Sequence, residues 1–128
     1  KKLMTTFSVV GGKSLQGNIT PQGAKNEALQ ILCAVLLTPE PITIHNVPDI
    51  RDVNKLIELL SELGVTVEKL GDNSWRFTAD DVNMEFLQTA AYEKKAASLR
   101  GSIMILGPLL ARYGKAKIPK PGGDKIGR

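Results

Sequence analysis

The chain has 128 residues, of which 42% are hydrophobic and 23% are charged, values typical of a globular domain and not of a disordered segment. Its single cysteine, Cys33, excludes an internal disulfide and is typical of a reducing compartment. The longest apolar run, residues 31–37, is too short to span a bilayer. We therefore expect a soluble, cytoplasmic protein that does not bind a membrane.

The formal net charge is +4, and its basic residues concentrate near the end of the chain. A basic tail can meet nucleic acid, but this one lacks interleaved aromatic side chains that stack on bases. A small anionic ligand suits the tail equally well, and we expect no nucleic-acid partner. The basic residues concerned are Lys115, Lys117, Lys120, Lys125 and Arg128.

The first predicted elements are two short strands. Residues 7–10 are partly β-branched, and Leu15, Gly17 and Ile19 alternate with polar residues. The chain also begins without methionine and stops within a glycine-rich loop, so we expect it to be a piece of a longer protein.

A long apolar helix is predicted over residues 26–37 and is followed by Pro39. Because it is apolar at nearly every position, we expect it to be buried on most sides, with Cys33 acting as a small hydrophobe. Lys25 and Asn26 fall at its start, where free N–H groups and the helix dipole attract phosphate. A solvated lysine and a capping asparagine are the simpler interpretation of these two residues.

The middle of the chain predicts a helix between sheet strands. Residues 42–47 alternate as a strand, with His45 on its polar face and no second histidine to share a metal. Apolar residues at helical spacing predict an amphipathic helix over residues 53–63, with Asp49 or Asp52 as its cap and Gly64 after its end.

A β-hairpin follows that helix. Residues 65–70 and 74–78 flank a turn at Gly71-Asp72-Asn73, and Trp75 and Phe77 share one face that we expect to join the core. Residues 80–89 are weakly patterned and predict a connecting segment.

A second apolar helix is predicted over residues 101–112, kinked or tightened by Pro108. A short strand over residues 115–119 and a basic loop over residues 120–128 follow. This order predicts a βαβαββ unit that restarts near residue 90, with a basic residue, Lys25 or Arg100, at the start of each apolar helix. Two such helix ends could converge on one anionic ligand.

Six short motifs occur in a characteristic order and spacing, and together they resemble the UDP-N-acetylglucosamine 1-carboxyvinyltransferase family. The resemblance extends from about Gly11 to the end and is specific as a set, although each motif alone is weak. Family members are several times longer, so the resemblance is to their N-terminal part. The motifs are Gly23-Ala24-Lys25-Asn26-Glu27-Ala28, Asn46-Val47-Pro48, Leu63-Gly64, Leu99-Arg100-Gly101-Ser102-Ile103, Leu106-Gly107-Pro108-Leu109 and Pro121-Gly122-Gly123.

The resemblance implies an α/β (α+β) fold, an inside-out barrel of βαβαββ repeats with buried central helices. This chain would hold one full repeat and most of a second. Residues 1–20 would be strands that pack with the C-terminal domain, a partner missing here, so we expect them to lie differently. Residues 21–128 would form a partial domain ending in the active-site loop.

The implied reaction moves the enolpyruvyl group of phosphoenolpyruvate to the 3′-hydroxyl of UDP-N-acetylglucosamine and releases phosphate. It opens peptidoglycan synthesis, on which the cell wall, cell shape and cell division depend. The resemblance implies neither a metal nor an organic cofactor. Because further site residues lie in the missing part, including a loop arginine one residue beyond Arg128, we expect this chain to be inactive alone.

The resemblance also implies roles for individual residues. Lys25 would contact phosphoenolpyruvate and the tetrahedral intermediate, Asn26 the sugar nucleotide, and Arg100 with the Gly101 backbone the nucleotide substrate. Asp124 stands where the family usually has cysteine, and as a general acid it would still deliver a proton to the methylene carbon. Since fosfomycin alkylates that cysteine, an intact enzyme with this loop is expected to resist the drug.

Three alternatives stay open. Enolpyruvylshikimate-phosphate synthase shares the implied fold and chemistry, but its opening helix typically has Lys-Ser followed by an arginine, where this chain has Lys25-Asn26-Glu27-Ala28. A non-enzymatic basic module that binds nucleic acid would explain the positive tail. A purely structural domain would leave Lys25 and Arg100 far apart and solvated.

Overall fold

A computed structural model describes residues 6–120 of the chain. Four α-helices, three strands and three 3₁₀ segments lie within this range. The helices are α1 (Lys25–Ala34), α2 (Arg51–Glu62), α3 (Ala90–Ala97) and α4 (Leu106–Tyr113), the strands β1 (Ile42–Ile44), β2 (Thr66–Gly71) and β3 (Ser74–Thr78), and the 3₁₀ segments Val35–Leu37, Met84–Gln88 and Arg100–Ile105. The mixed helix and sheet class predicted from the sequence is confirmed.

The strands form one antiparallel sheet in the order β1-β3-β2. The predicted hairpin is confirmed, with Asn73 at its turn in the left-handed region at φ 59°. Phe77 is fully buried and Trp75 packs against the core beside it. One face of β3 therefore belongs to the core, as expected.

Helix α2 covers this core through an apolar stripe that includes Val53, Leu56 and Leu60, all fully buried. It is the amphipathic helix that the spacing predicted, and Gly64 follows its end at φ 99°. The predicted cap is wrong, because Ile50 occupies the N-cap position and no side chain bonds the free N–H groups there. Asp49 instead accepts a hydrogen bond of 2.8 Å from the Asn54 side chain.

The two apolar helical stretches lie against each other, but their burial is one-sided. In α1 and its 3₁₀ extension, Leu32, Cys33 and Leu36 are buried, whereas Ile31 is 42% exposed. The expectation of burial on most sides is therefore wrong for the described residues, because nothing within residues 6–120 covers the outer face. The second apolar stretch, residues 100–113, is also buried on one side only. Its exposed apolar side chains are Ile103, Met104, Leu106 and Leu110.

The predicted helix over residues 101–112 is two elements, a 3₁₀ segment followed by α4. Pro108 lies in the first turn of α4. Because proline has no backbone N–H, it cannot donate an α-helical hydrogen bond to the Met104 carbonyl. The chain before it is wound as the tighter 3₁₀ form, which confirms the predicted tightening. The Arg112 guanidinium donates hydrogen bonds to the carbonyls of Leu36 and Ala79. It thereby links α4 to the 3₁₀ segment after α1 and to the end of β3.

Cys33 is almost completely buried, and desolvation raises the pKa of its thiol to about 12. A thiol in this state is inert near neutral pH because the nucleophile is the thiolate. Its behaviour as a small hydrophobe is confirmed.

The early strands are absent from the described part of the chain. Residues 6–24 form no helix or strand, and Phe7, Val9, Leu15 and Ile19 are each at least 88% exposed. A strand needs a partner for its backbone hydrogen bonds, and within residues 6–120 this segment has none. The strand predicted over residues 115–119 is likewise wrong; there Lys117 accepts a hydrogen bond from the Tyr92 hydroxyl through its carbonyl.

Candidate functional site

The start of α1 is held in place by a close backbone approach at Gly23. A Cβ atom there would lie 2.0 Å from the Asn46 carbonyl oxygen and 3.1 Å from Pro48. Asn46 itself adopts the left-handed region at φ 56°, which asparagine tolerates better than most residues. The Gly23 and Asn46-Val47-Pro48 motifs, 23 residues apart in the sequence, are therefore two sides of one contact.

Lys25 and Asn26 are the first residues of α1, and both are exposed. Ala24 is the N-cap residue and makes no side-chain cap hydrogen bond, so Asn26 does not cap the helix. The first turn of α1, with its free N–H groups and the positive end of the helix dipole, therefore lacks a side-chain cap from Ala24 and carries the exposed Lys25 side chain.

Arg100 is placed by a second close approach. The Ser102 hydroxyl, which is fully buried, donates a 2.7 Å hydrogen bond to the Ala96 carbonyl and ties the 3₁₀ segment to α3. A Cβ on Gly101 would lie 3.1 Å from a Leu29 methyl group. Glycine at this position lets the start of the 3₁₀ segment pack directly on α1, which brings Arg100 to the same end of the molecule as Lys25.

These placements create one open cleft of about 430 Å³ between the two helix starts. The four residues that the sequence singled out in the described range all line it, although they come from segments about 75 residues apart. The structural alternative in which Lys25 and Arg100 lie far apart is therefore wrong. The lining residues are Lys25, Asn26, Leu29, Gln30, Asp52, Arg100, Gly101, Ile103 and Met104.

The polar wall of the cleft carries the carboxylate of Asp52, a residue for which the sequence predicts only a role as a helix cap. Asp52 lies in the first turn of α2, and its Oδ2 atom is 2.7 Å from Lys25 Nζ. The hydrogen bond from Lys25 lowers the pKa of Asp52, against an opposing effect of desolvation and with help from Lys55 and Arg51. No local pattern marks this contact, because it joins residues 27 positions apart.

Arg100 forms no ion pair within residues 6–120, so its guanidinium remains available to an anion. With Lys25 and Asp52 paired, the polar wall keeps a net positive charge. Such a cleft suits a ligand with phosphate or carboxylate groups. Asp124, the fifth predicted site residue, lies outside the described residues.

Within the described range, no cluster of three or more His, Cys, Asp or Glu side chains is arranged to hold a metal ion. His45 is exposed and bonds the Ser74 hydroxyl at 3.0 Å. No helix of residues 6–120 has the length and apolar character needed to cross a membrane.

Comparison with known proteins agrees on one family. Residues 9–128 match the family model described as EPSP synthase (3-phosphoshikimate 1-carboxyvinyltransferase). Over 98% of its length the chain is 56% identical to a UDP-N-acetylglucosamine 1-carboxyvinyltransferase of Bacteroides thetaiotaomicron and 49% identical to that of Porphyromonas gingivalis. It is 44% identical to that of Acinetobacter baylyi over 97% of its length. The chain spans 28–29% of the length of these curated relatives.

Proposed function

Because the chain belongs to the EPSP synthase (3-phosphoshikimate 1-carboxyvinyltransferase) family, we propose that it is part of an enolpyruvyl transferase that acts on UDP-N-acetylglucosamine. The observation that carries this proposal is the convergence of Lys25, Asn26, Arg100 and Gly101 on one cleft. The enzyme would work in the cytoplasm at the first committed step of peptidoglycan synthesis, and so serve cell-wall growth, cell shape and division.

Two observations favour the sugar nucleotide over 3-phosphoshikimate as the acceptor. The relatives at 44–56% identity are named for UDP-N-acetylglucosamine. In addition, Lys25 is followed by Asn26, whereas the shikimate enzymes typically carry serine there. An asparagine amide offers both donors and an acceptor, which suits the hydroxyl and amide groups of an acetylated sugar.

The proposed reaction is an addition followed by an elimination. The acceptor 3′-hydroxyl adds to C2 of phosphoenolpyruvate and loses its proton, while the methylene carbon gains a proton and becomes a methyl group. Loss of a proton from that methyl group then restores the double bond, and the C2–O bond to phosphate breaks. Negative charge on the phosphate oxygens has to be stabilised throughout.

We assign that stabilisation in part to Lys25 at the start of α1. Its ammonium and the free N–H groups of the first helical turn would meet the phosphate of phosphoenolpyruvate and of the intermediate. Arg100 and the Gly101 backbone would hold the anionic nucleotide substrate across the cleft, and Asn26 would bond its sugar. Asp124 would deliver the proton to the methylene carbon as general acid.

We further propose that the complete domain is an inside-out barrel of βαβαββ repeats, with residues 21–128 supplying one repeat and most of another and residues 1–20 packing elsewhere. The support is the one-sided burial of the apolar helices. Ile31, Ile103, Leu106 and Leu110 are each 37–47% exposed on the described part of the chain, and a further repeat would cover them.

The test is to assay the purified full-length protein for phosphate release with phosphoenolpyruvate and either UDP-N-acetylglucosamine or 3-phosphoshikimate. We expect turnover with the sugar nucleotide alone, and a 3′-enolpyruvyl ether visible by ¹H NMR. Turnover with 3-phosphoshikimate alone would reassign the enzyme within its family, and the absence of turnover with both acceptors would refute the proposal. The 128-residue chain serves as a control and is expected to be inactive.

Fosfomycin offers a separate prediction for position 124. The full-length protein is expected to remain active at fosfomycin concentrations that inactivate an Asp124→Cys variant, because a carboxylate is a poor nucleophile toward the drug whereas a thiolate is a good one. Intact-protein mass spectrometry after incubation should show a covalent adduct on the variant only. An adduct on the protein with Asp124 would contradict the expected resistance.

A further inference from the structure

We propose that Asp52 is a positioning residue whose carboxylate holds the Lys25 ammonium in the wall of the cleft. This inference rests on the proposed function, because it assigns Lys25 to an anionic substrate. It begins from the 2.7 Å contact between Lys25 Nζ and Asp52 Oδ2 and from the place of both residues in the cleft lining.

The ion pair is oriented by the two helices that carry it. Lys25 is the first residue of α1, where the positive end of the helix dipole disfavours a cation. Asp52 is in the first turn of α2, where the dipole favours an anion. The carboxylate is thus in a favourable place by itself, and it compensates the unfavourable place of the lysine.

The stability of the fold does not explain the pair. The Lys25 and Asp52 side chains are 50% and 43% exposed, and an ion pair between side chains so exposed to water typically contributes little to the stability of a fold. What the contact does restrict is the position of a long side chain with four rotatable bonds. An ammonium group has three N–H donors, so one can stay on Asp52 while the others turn to a phosphate.

The groups around Asp52 are otherwise basic. Arg51 and Lys55 lie close enough to stabilise its ionised form, and Arg100 lines the same cleft. Removing the carboxylate would add one positive charge to the cleft wall and free Lys25 to follow an anion into unproductive positions. The inference therefore predicts a defect in turnover and no defect in substrate binding.

The experiment compares Asp52→Asn, Asp52→Glu and Asp49→Asn in the full-length enzyme. Asp49 lies just before α2, outside the cleft lining, and bonds Asn54, so its variant controls for loss of a carboxylate near that helix. We expect Asp52→Asn to lower kcat about tenfold or more with an unchanged or lower KM for phosphoenolpyruvate. Asp52→Glu should recover most of the lost kcat, and Asp49→Asn should match the parent enzyme.

Two results would overturn the assignment. One is a kcat for Asp52→Asn within twofold of the parent value. The other is a loss that Asp52→Glu does not recover, with KM raised and the melting temperature lowered, as a merely structural role would produce. If the parent enzyme is active and Asp52→Asn resembles it, only this inference fails; if the parent is inactive with both acceptors, the proposed function fails first.

Discussion

Replacing Lys25 with methionine in the full-length enzyme is expected to lower kcat/KM for phosphoenolpyruvate by about a thousandfold. Donors aimed at charge that develops in the transition state are worth about 10²–10³ in rate, and a charged donor to phosphate belongs at the upper end of that range. Methionine keeps most of the length and volume of lysine and a similar helix propensity, so the change removes the charge and, with it, the ion pair to Asp52.

Lys94→Met is the matched control for that variant. Lys94 is an exposed lysine in the last turn of α3 and does not line the cleft, so its removal should leave kcat/KM unchanged. Steady-state phosphate release, measured over a range of both substrates, separates the two variants. Activity of Lys25→Met within a few-fold of the parent value would exclude the phosphate-binding role proposed for Lys25.

Elements governed by local chemistry could be predicted from the sequence. The turn at Gly71-Asp72-Asn73 and the apolar stripe of α2 depend on residues within a few positions of each other. Gly64 was marked by its place after that stripe, and the structure shows why glycine is needed there. Its φ is 99°, and a Cβ would lie 2.4 Å from the Asp81 carbonyl oxygen.

Features that depend on distant partners could not be predicted in the same way. The alternation of Leu15, Gly17 and Ile19 is a property of a strand, but a strand forms only where another strand accepts its hydrogen bonds. The apolar helices likewise show which side chains avoid water without showing which of their faces this part of the chain covers.

The candidate site falls between these two cases. Lys25 and Arg100 could be paired in advance because each begins an apolar helix in a repeated pattern, and the cleft confirms that they lie together. The contact of Asp52 with Lys25 could not be predicted, because the two residues are 27 positions apart and the place of Asp52 at a helix start indicates a cap. A residue's local role and its role in the site are different here, and only the packing of α1 on α2 distinguishes them.

Near the site, Gly23 has a closer backbone approach than Gly101, and its contact is with the loop after β1. A Gly23→Ala variant places a methyl group 2.0 Å from the Asn46 carbonyl oxygen, well inside contact distance. The clash is with backbone and with the ring of Pro48, neither of which can rotate away. Either α1 or the loop after β1 must shift, at a cost of about 2–3 kcal/mol in the free energy of unfolding.

Because Lys25 lies two residues beyond Gly23, that shift should also reduce turnover. We expect Gly23→Ala to lower the melting temperature by several degrees and kcat/KM by about tenfold or more. Gly71→Ala is the control: among residues 6–120 a Cβ at Gly71 meets nothing within 4 Å, Gly71 lies in β2 away from the cleft, and alanine within a strand is favoured over glycine by about 0.5–1 kcal/mol. That variant should therefore be as stable as the parent or more so, with full activity. Equal melting temperatures for the two variants would mean that the close contact between Gly23 and Asn46 does not position the start of α1. The placement of Lys25 in the cleft would then have to depend on other contacts.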